Sequence, residues 1–321
     1  MKRGWASLML LACAQAQALC DVVSTTPASF GSVSSTLVNT VVQSASTGNA
    51  GLRCTGSLVS LLAADDHFYA TFTPTGGTTG LVGPTGDVIN YTLYANNTSN
   101  FAIARSTRYD FARNGIIDAL GLLNGTTPKT VPIYLKTQIG STVAAGLYQE
   151  TFSVEWDINY CYGIGVGNLC LGRQVLKQST SLTVSLTVTN DCQITSPNIS
   201  FGSAPVVGGF STVNSNVNIA CTKGSNYTVG LDDGQNGAGG RRRMKSAANN
   251  YLAYDIFKSA GNLRWGKLSS ERRASSDADI NPGAGTGSGS QVFNYNARVY
   301  TDQATPPAGT YLDSVILDVQ F

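Results

Sequence analysis

The chain has 321 residues, with 21 Lys and Arg, 19 Asp and Glu, and a single His. Setting aside Lys2 and Arg3 leaves 21 − 2 = 19 basic residues against 19 acidic, a neutral balance that removes any electrostatic case for nucleic acid. Charged residues make up 12% and Gly numbers 35, which describes a secreted, turn-rich all-β protein rather than a helical one.

Lys2 and Arg3 open the chain, Ala6–Ala12 is a short apolar run, and Ala16-Gln17-Ala18 fits a small-x-small cleavage site. Residues 1–18 therefore read as a secretory signal peptide, too short for a membrane span. Cys13 after Leu10-Leu11-Ala12 leaves lipidation as the rival reading. Cleavage after Ala18 makes Leu19 the mature start, with almost nothing ahead of Cys20.

Seven cysteines less Cys13 leave an even set for an oxidising compartment. They group as Cys20/Cys54, Cys161/Cys170 and Cys192/Cys221. Other connectivities are possible in principle. The nearest-neighbour set is preferred because the outer pairs recur at similar spacing in the two halves. Zinc is disfavoured, since there is no C-x-x-C and one histidine. No metal and no cofactor is expected.

The two halves echo each other. Ser29-Phe30-Gly31-Ser32 after Cys20 matches Ser200-Phe201-Gly202-Ser203 after Cys192. Cys54-Thr55 matches Cys221-Thr222, and Asn90-Tyr91 to Tyr94 is set beside Asn250-Tyr251 to Tyr254. Gly146-Leu147-Tyr148 matches Gly309-Thr310-Tyr311. So long a period means two copies of one domain, not a solenoid. Short alternating strands between Gly, Asn and Pro turns predict two tandem immunoglobulin-like sandwiches. The expected limits are 19–190 and 191–321.

After its Gly-x-Tyr strand the first copy continues. Leu182, Val184, Leu186 and Val188 alternate with Ser and Thr, which predicts a strand with one apolar face. It is expected to pair with 147–156 and complete the first sandwich in cis. The second copy has no such strand after Gly309-Thr310-Tyr311. Its open edge calls for a strand from another chain.

That strand direction locates a far pole, if neighbouring strands run simply up and down. Three segments are expected there. Pro74–Asp87 carries Leu81 and Val82. Phe111–Pro128 carries Ile116, Ile117, Leu120, Leu122 and Leu123. Asp157–Lys177 carries Tyr162, Ile164, Val166 and Leu169. These are the candidate surface-binding residues. The competing reading is that they tuck into the sandwich end, Ile116–Leu123 as a short buried helix.

Candidates for chemistry are weaker, and no enzyme is expected. His67 after Asp65-Asp66 heads an alternating strand and reads as a solvated turn rather than a base. Asp232-Asp233-Gly234 lacks the calcium-loop pattern. Arg241-Arg242-Arg243 lacks aromatic interleaving, so no nucleic acid is expected.

Ile199-Ser200-Phe201-Gly202, Cys221-Thr222, Asn250 to Tyr254, Arg264-Trp265-Gly266 and Gly309 to Val315 together resemble the spore coat protein U domain family. The match is good in the second half and looser in the first. The resemblance implies incomplete pilin domains of archaic chaperone–usher pili. It also implies a periplasmic chaperone, an outer-membrane usher, and donor-strand exchange with the next pilus subunit at the C-terminal domain. Without a donor strand before Cys20, the chain reads as a tip adhesin, secreted through the periplasm to the cell surface. Its expected task is attachment to an abiotic or host surface, initiating biofilm. The alternatives are a structural pilus or coat subunit, or a secreted glycan-binding module. Arg105–Thr130 and the Cys161–Cys170 segment depart from the family, so no ligand carries over to them.

Overall fold

The computed structural model describes residues 19–55, 66–112, 127–166 and 169–321, with backbone alone for 163–166, 169 and 171. The candidate signal peptide with Cys13 lies outside the described residues. So do Ile116, Ile117, Leu120, Leu122 and Leu123, and the side chains of Ile164, Val166 and Leu169.

Among the described residues, strands from the two halves do not share a sheet. In the first half the main sheet runs in the order Arg108–Asp110, His67–Pro74, Gly146–Val166, Leu169–Thr189, Ala28–Ser34. Facing it are Ser44–Thr47, Ile133–Thr137, Tyr91–Tyr94 and Ala102–Ile103. Side-chain alternation explains the layering. Phe152, Val154, Trp156, Ile158 and Tyr160 are buried, while Ser153, Glu155, Asp157 and Asn159 between them face outward. The core they form includes Phe68, Phe72, Leu93, Ile133 and Leu135.

The second half builds its own core around Val217, Ile219, Trp265 and Phe293. Its larger sheet is ordered Cys192–Thr195, Val213–Cys221, Gln291–Val299, Tyr251–Lys258, Arg242–Ser246, Tyr311–Leu312. The smaller is Arg273–Ala274, Thr228–Leu231, Leu317–Gln320. The fold is two tandem immunoglobulin-like β-sandwiches.

The cysteines pair as Cys20–Cys54, Cys161–Cys170 and Cys192–Cys221. The first and third bonds join directly opposed residues of neighbouring antiparallel strands, once in each half.

Only Asn190 and Asp191 separate the Leu169–Thr189 strand from Cys192–Thr195. The junction is pinned around Thr222. Its hydroxyl meets that of Ser35 at 2.6 Å, and the Asp191 amide donates to it. Beside it Ala144 bridges to Lys223, and Lys223 pairs with Asp87.

Candidate functional site

The Leu169–Thr189 strand lies antiparallel to Gly146–Val166 and parallel to Ala28–Ser34. Leu182 faces Phe152, Val184 faces Glu150, Leu186 faces Tyr148 and Val188 faces Gly146. All four of these apolar side chains are buried in the first core. The segment 182–188 is the lower half of one 21-residue strand, not a separate short element.

The same surroundings recur in the second sandwich around an open groove. Tyr148 donates its hydroxyl to the Ala144 carbonyl, and Tyr311 donates to Pro307, each four residues back. Phe30 meets Tyr91 edge-on, and Phe201 meets Tyr254 in the same way. These contacts equate Tyr91 with Tyr254, a shift of three residues from the sequence pairing of Tyr94 with Tyr254. Two tyrosines in each motif made the wrong register look natural in sequence.

Ala28, Tyr148, Glu150, Phe152 and Val154 are buried beneath or beside the closing strand. Their counterparts Ile199, Tyr311, Asp313, Val315 and Leu317 are half-exposed. They line a groove of about 690 Å³, with Ser196–Phe201 on one wall and Tyr311–Val315 with Leu317 on the other. Val217, Leu231, Met244, Tyr254, Ile256 and Tyr295 form its floor. Its walls correspond to the two strands that hold the 182–188 segment in the first sandwich. Chemically the groove is a trough with an apolar floor and mixed walls, which one extended strand can fill by main-chain pairing.

The far pole differs from the sequence expectation. Leu81 is fully buried and Val82 half-buried. Val82 pairs with Gln149, near the start of the Gly146–Val166 strand and so near the second domain. Pro74–Asp87 is thus at the junction, and Asp87 reaches Lys223. The expectation fails because Arg108–Asp110 is an extra strand crossing to the main sheet, pairing with Tyr69–Thr71. One additional crossing reverses the direction assigned to every strand before it.

Asp157–Lys177 is at the far pole, as an extension of two paired strands. Pairing continues past Cys161–Cys170 to Val166 opposite Leu169. The neighbouring strand stops at His67, opposite Asn159. The hairpin therefore runs beyond it by roughly 20 Å at about 3.3 Å per residue. Tyr162 is not free: it is half-buried and packs against the first core. Gly172 permits this, since a Cβ there would lie 2.8 Å from the Tyr162 ring.

Residues flanking two undescribed segments also lie at this pole. Thr55 pairs with Leu19, next to Cys20, whose amide donates to Gln174 Oε1. Asp66 is 3.4 Å from Arg173. The stretch between them contains Leu58, Val59, Leu61 and Leu62. Phe111 donates its amide to Phe68, and Lys129 pairs with Cys54, so the ends of Phe111–Pro128 are on the same side.

The remaining candidates for chemistry have structural partners. Arg241 binds Asp302 and Arg243 lies over the Tyr251 ring. Arg242 is buried against Asp255. Among the described residues no group of three or more His, Cys, Asp and Glu is placed to hold a metal.

A family model of the Spore Coat Protein U domain matches residues 6–155 and again 178–318. The chain belongs to that family. Among solved structures it is similar to the CsuC–CsuE chaperone–tip adhesion subunit pre-assembly complex from archaic chaperone–usher Csu pili of Acinetobacter baumannii. The identity is 26% and the TM-score 0.62, covering 94% of this chain and 100% of that one. CfaE, the adhesive subunit of CFA/I fimbria of enterotoxigenic Escherichia coli, matches at 12% identity and TM-score 0.30, covering 82% and 76%. A chaperone–tip adhesin complex of CFA/I fimbriae biogenesis matches at 10% and 0.28, covering 83% and 89%. Curated protein sequences give no match.

Proposed function

We propose that this protein is the tip adhesin of an archaic chaperone–usher pilus. Its second domain takes a donor strand, and its first domain attaches the cell to surfaces. The observation that carries this reading is the contrast between the two sandwiches. One is closed by its own strand, the other has a groove between the equivalent walls. A periplasmic chaperone occupies that groove before assembly, and the next subunit's strand replaces it at the outer-membrane usher. Similarity over the full length to a chaperone–tip adhesion subunit complex supports the same role.

The far pole of the first domain then points away from the fibre. The segments that carry Ile164 and Val166, and Ile117 and Leu120, are rich in aliphatic residues and poor in charge by sequence. Such groups suit apolar material, because burial scales with area and needs no matched hydrogen bonds. Many fibres per cell multiply weak single contacts. The first domain thereby initiates biofilm on abiotic surfaces. Replacing Ile164 and Val166 with Ser should cut attachment to plastic several-fold with fibre number unchanged. Unchanged attachment sinks the surface-binding reading, and competition by a soluble sugar replaces it with glycan binding.

A further inference from the structure

The two sandwiches place a carboxylate at the same point beneath the closing strand, but neutralise it differently. In the first, Glu150 lies two residues after Tyr148 and directly opposite Val184. Its side chain is fully buried, and Arg105 clamps it through Nη2 at 2.9 Å and Nε at 3.3 Å. Thr78 adds a hydrogen bond at 2.8 Å. A cation from within the domain thus allows an apolar Val to cover a buried anion.

In the second sandwich Asp313 follows Tyr311 by the same two residues and lines the groove. Tyr254 donates its hydroxyl to Asp313 at 2.9 Å, and the Gln235 amide donates at 2.9 Å. The carboxylate packs against Gly234, where a Cβ would come within 2.1 Å of it. Its place is therefore built, yet both donors are neutral. Among the described residues no Lys or Arg forms an ion pair with Asp313. The buried guanidinium opposite Tyr254, that of Arg242, is held by Asp255 and by the Leu231, Asp232 and Trp265 carbonyls. A strand filling the groove would remove the remaining water from Asp313. Covering it with an aliphatic side chain leaves a charge without a counter-charge, which is costly.

We propose that the strand that fills this groove presents a positively charged side chain, Lys or Arg, to Asp313, at the place Val184 holds in the first domain. This rests on the reading of the groove as a strand acceptor. Opposed residues on neighbouring strands have Cβ atoms roughly 5 Å apart, within easy reach of an ammonium group. The aliphatic stem of the same side chain can lie along the apolar floor. The groove thus selects its occupant by charge at one register position, in addition to apolar pattern.

The test appends a copy of Ser181–Thr189 after Phe321 of the full chain through a short Gly/Ser linker. The residue copied from Val184 is kept as Val, or made Lys or Glu. Lys should raise the melting temperature of the second domain by about 4 °C over Val, and Glu should lower it. Asp313→Asn, which keeps an acceptor for Tyr254, should erase the difference between Lys and Val. If the Val copy protects the Tyr311–Leu317 amides from exchange and Lys gives no gain, the charge proposal is overturned while the acceptor reading stands. A Lys gain that survives in Asp313→Asn also overturns it. If no copy protects those amides, both fall together.

Discussion

Lys223 of the second domain reaches Asp87 of the first, Nζ to Oδ1, at 2.5 Å. Burial works to raise the Asp87 carboxyl. Hydrogen bonds from Lys223, the Ala144 amide and Thr85 outweigh it and hold the group below its ordinary value of 3.8. A carboxyl lowered on folding contributes stability above its unfolded value, and that contribution disappears as pH falls through the folded value. The pair is partly exposed, so its worth at neutral pH is about 0.2–1 kcal/mol. Asp87→Asn should melt slightly below the parent at pH 7. The gap should close on acidification from about pH 5 to pH 3. Thermal melts across that range check it; a gap that widens on acidification contradicts the assignment.

The closing strand of the first sandwich offers a larger effect. Leu186 is fully buried opposite Tyr148. Leu186→Ala should cost about 2–5 kcal/mol, from lost burial and the cavity left behind. Hydrogen exchange should show the loss across Gly146–Val166 and Ala28–Ser34, the two partners of this strand, before the second domain is affected. Equal loosening of both domains would mean that the strand serves the junction more than the first core.

Sequence made the strands and the repeat legible because period-two alternation and the recurring Phe-Gly, Cys and Gly-x-Tyr motifs are local signals. Leu182 to Val188 declared their apolar face without any knowledge of the partner strand. The fate of Leu81 was not legible, because it depends on how many crossings separate it from the far pole. The three-residue strand Arg108–Asp110 is too short to announce itself by periodicity. The Glu150–Arg105 clamp was equally hidden. Its members lie 45 residues apart, and nothing at either position signals burial. The groove was legible in outline as a missing strand, whereas the Asp313 carboxylate in it needed the side-chain geometry.

A third expectation concerns Arg242, whose side chain is wholly buried with Asp255 at 2.5 Å. Arg242 also holds the Leu231 and Asp232 carbonyls, and Asp232 accepts the Ile316 amide at the groove wall. Among the described residues, Arg242→Met leaves Asp255 with Arg264, at 3.0 Å, as its remaining ion pair, beside the neutral Ile256 amide and Tyr300 hydroxyl. The cost should be about 3–5 kcal/mol, since it strips a partner from a buried charge. The double change Arg242→Met with Asp255→Leu should recover part of that loss. Chemical denaturation of the single and double variants measures the coupling; strict additivity would show that the pair does not act as a unit.

The hairpin end gives the last expectation. Beyond Asn159 the Gly146–Val166 strand has lost its His67–Pro74 neighbour, so among the described residues the remaining pairing is that of a two-stranded ribbon. Such ribbons are marginal in water without further support. The Cys161–Cys170 bond closes a short loop there, and loop-closure entropy values it at about 2.5 kcal/mol. Trp156, Phe152 and the 182–188 segment lie below it in the register and form the core without it. Cys161→Ser with Cys170→Ser should therefore leave the first domain folded and fibre number unchanged. It should raise the ordering cost that Ile164 and Val166 meet on contact with a surface. Attachment to plastic, counted per fibre, should fall several-fold, and the hairpin end should become sensitive to protease while the core does not. Attachment that stays level would separate the hairpin end from the adhesive function. A parallel fall in fibre number would assign the disulfide to folding instead.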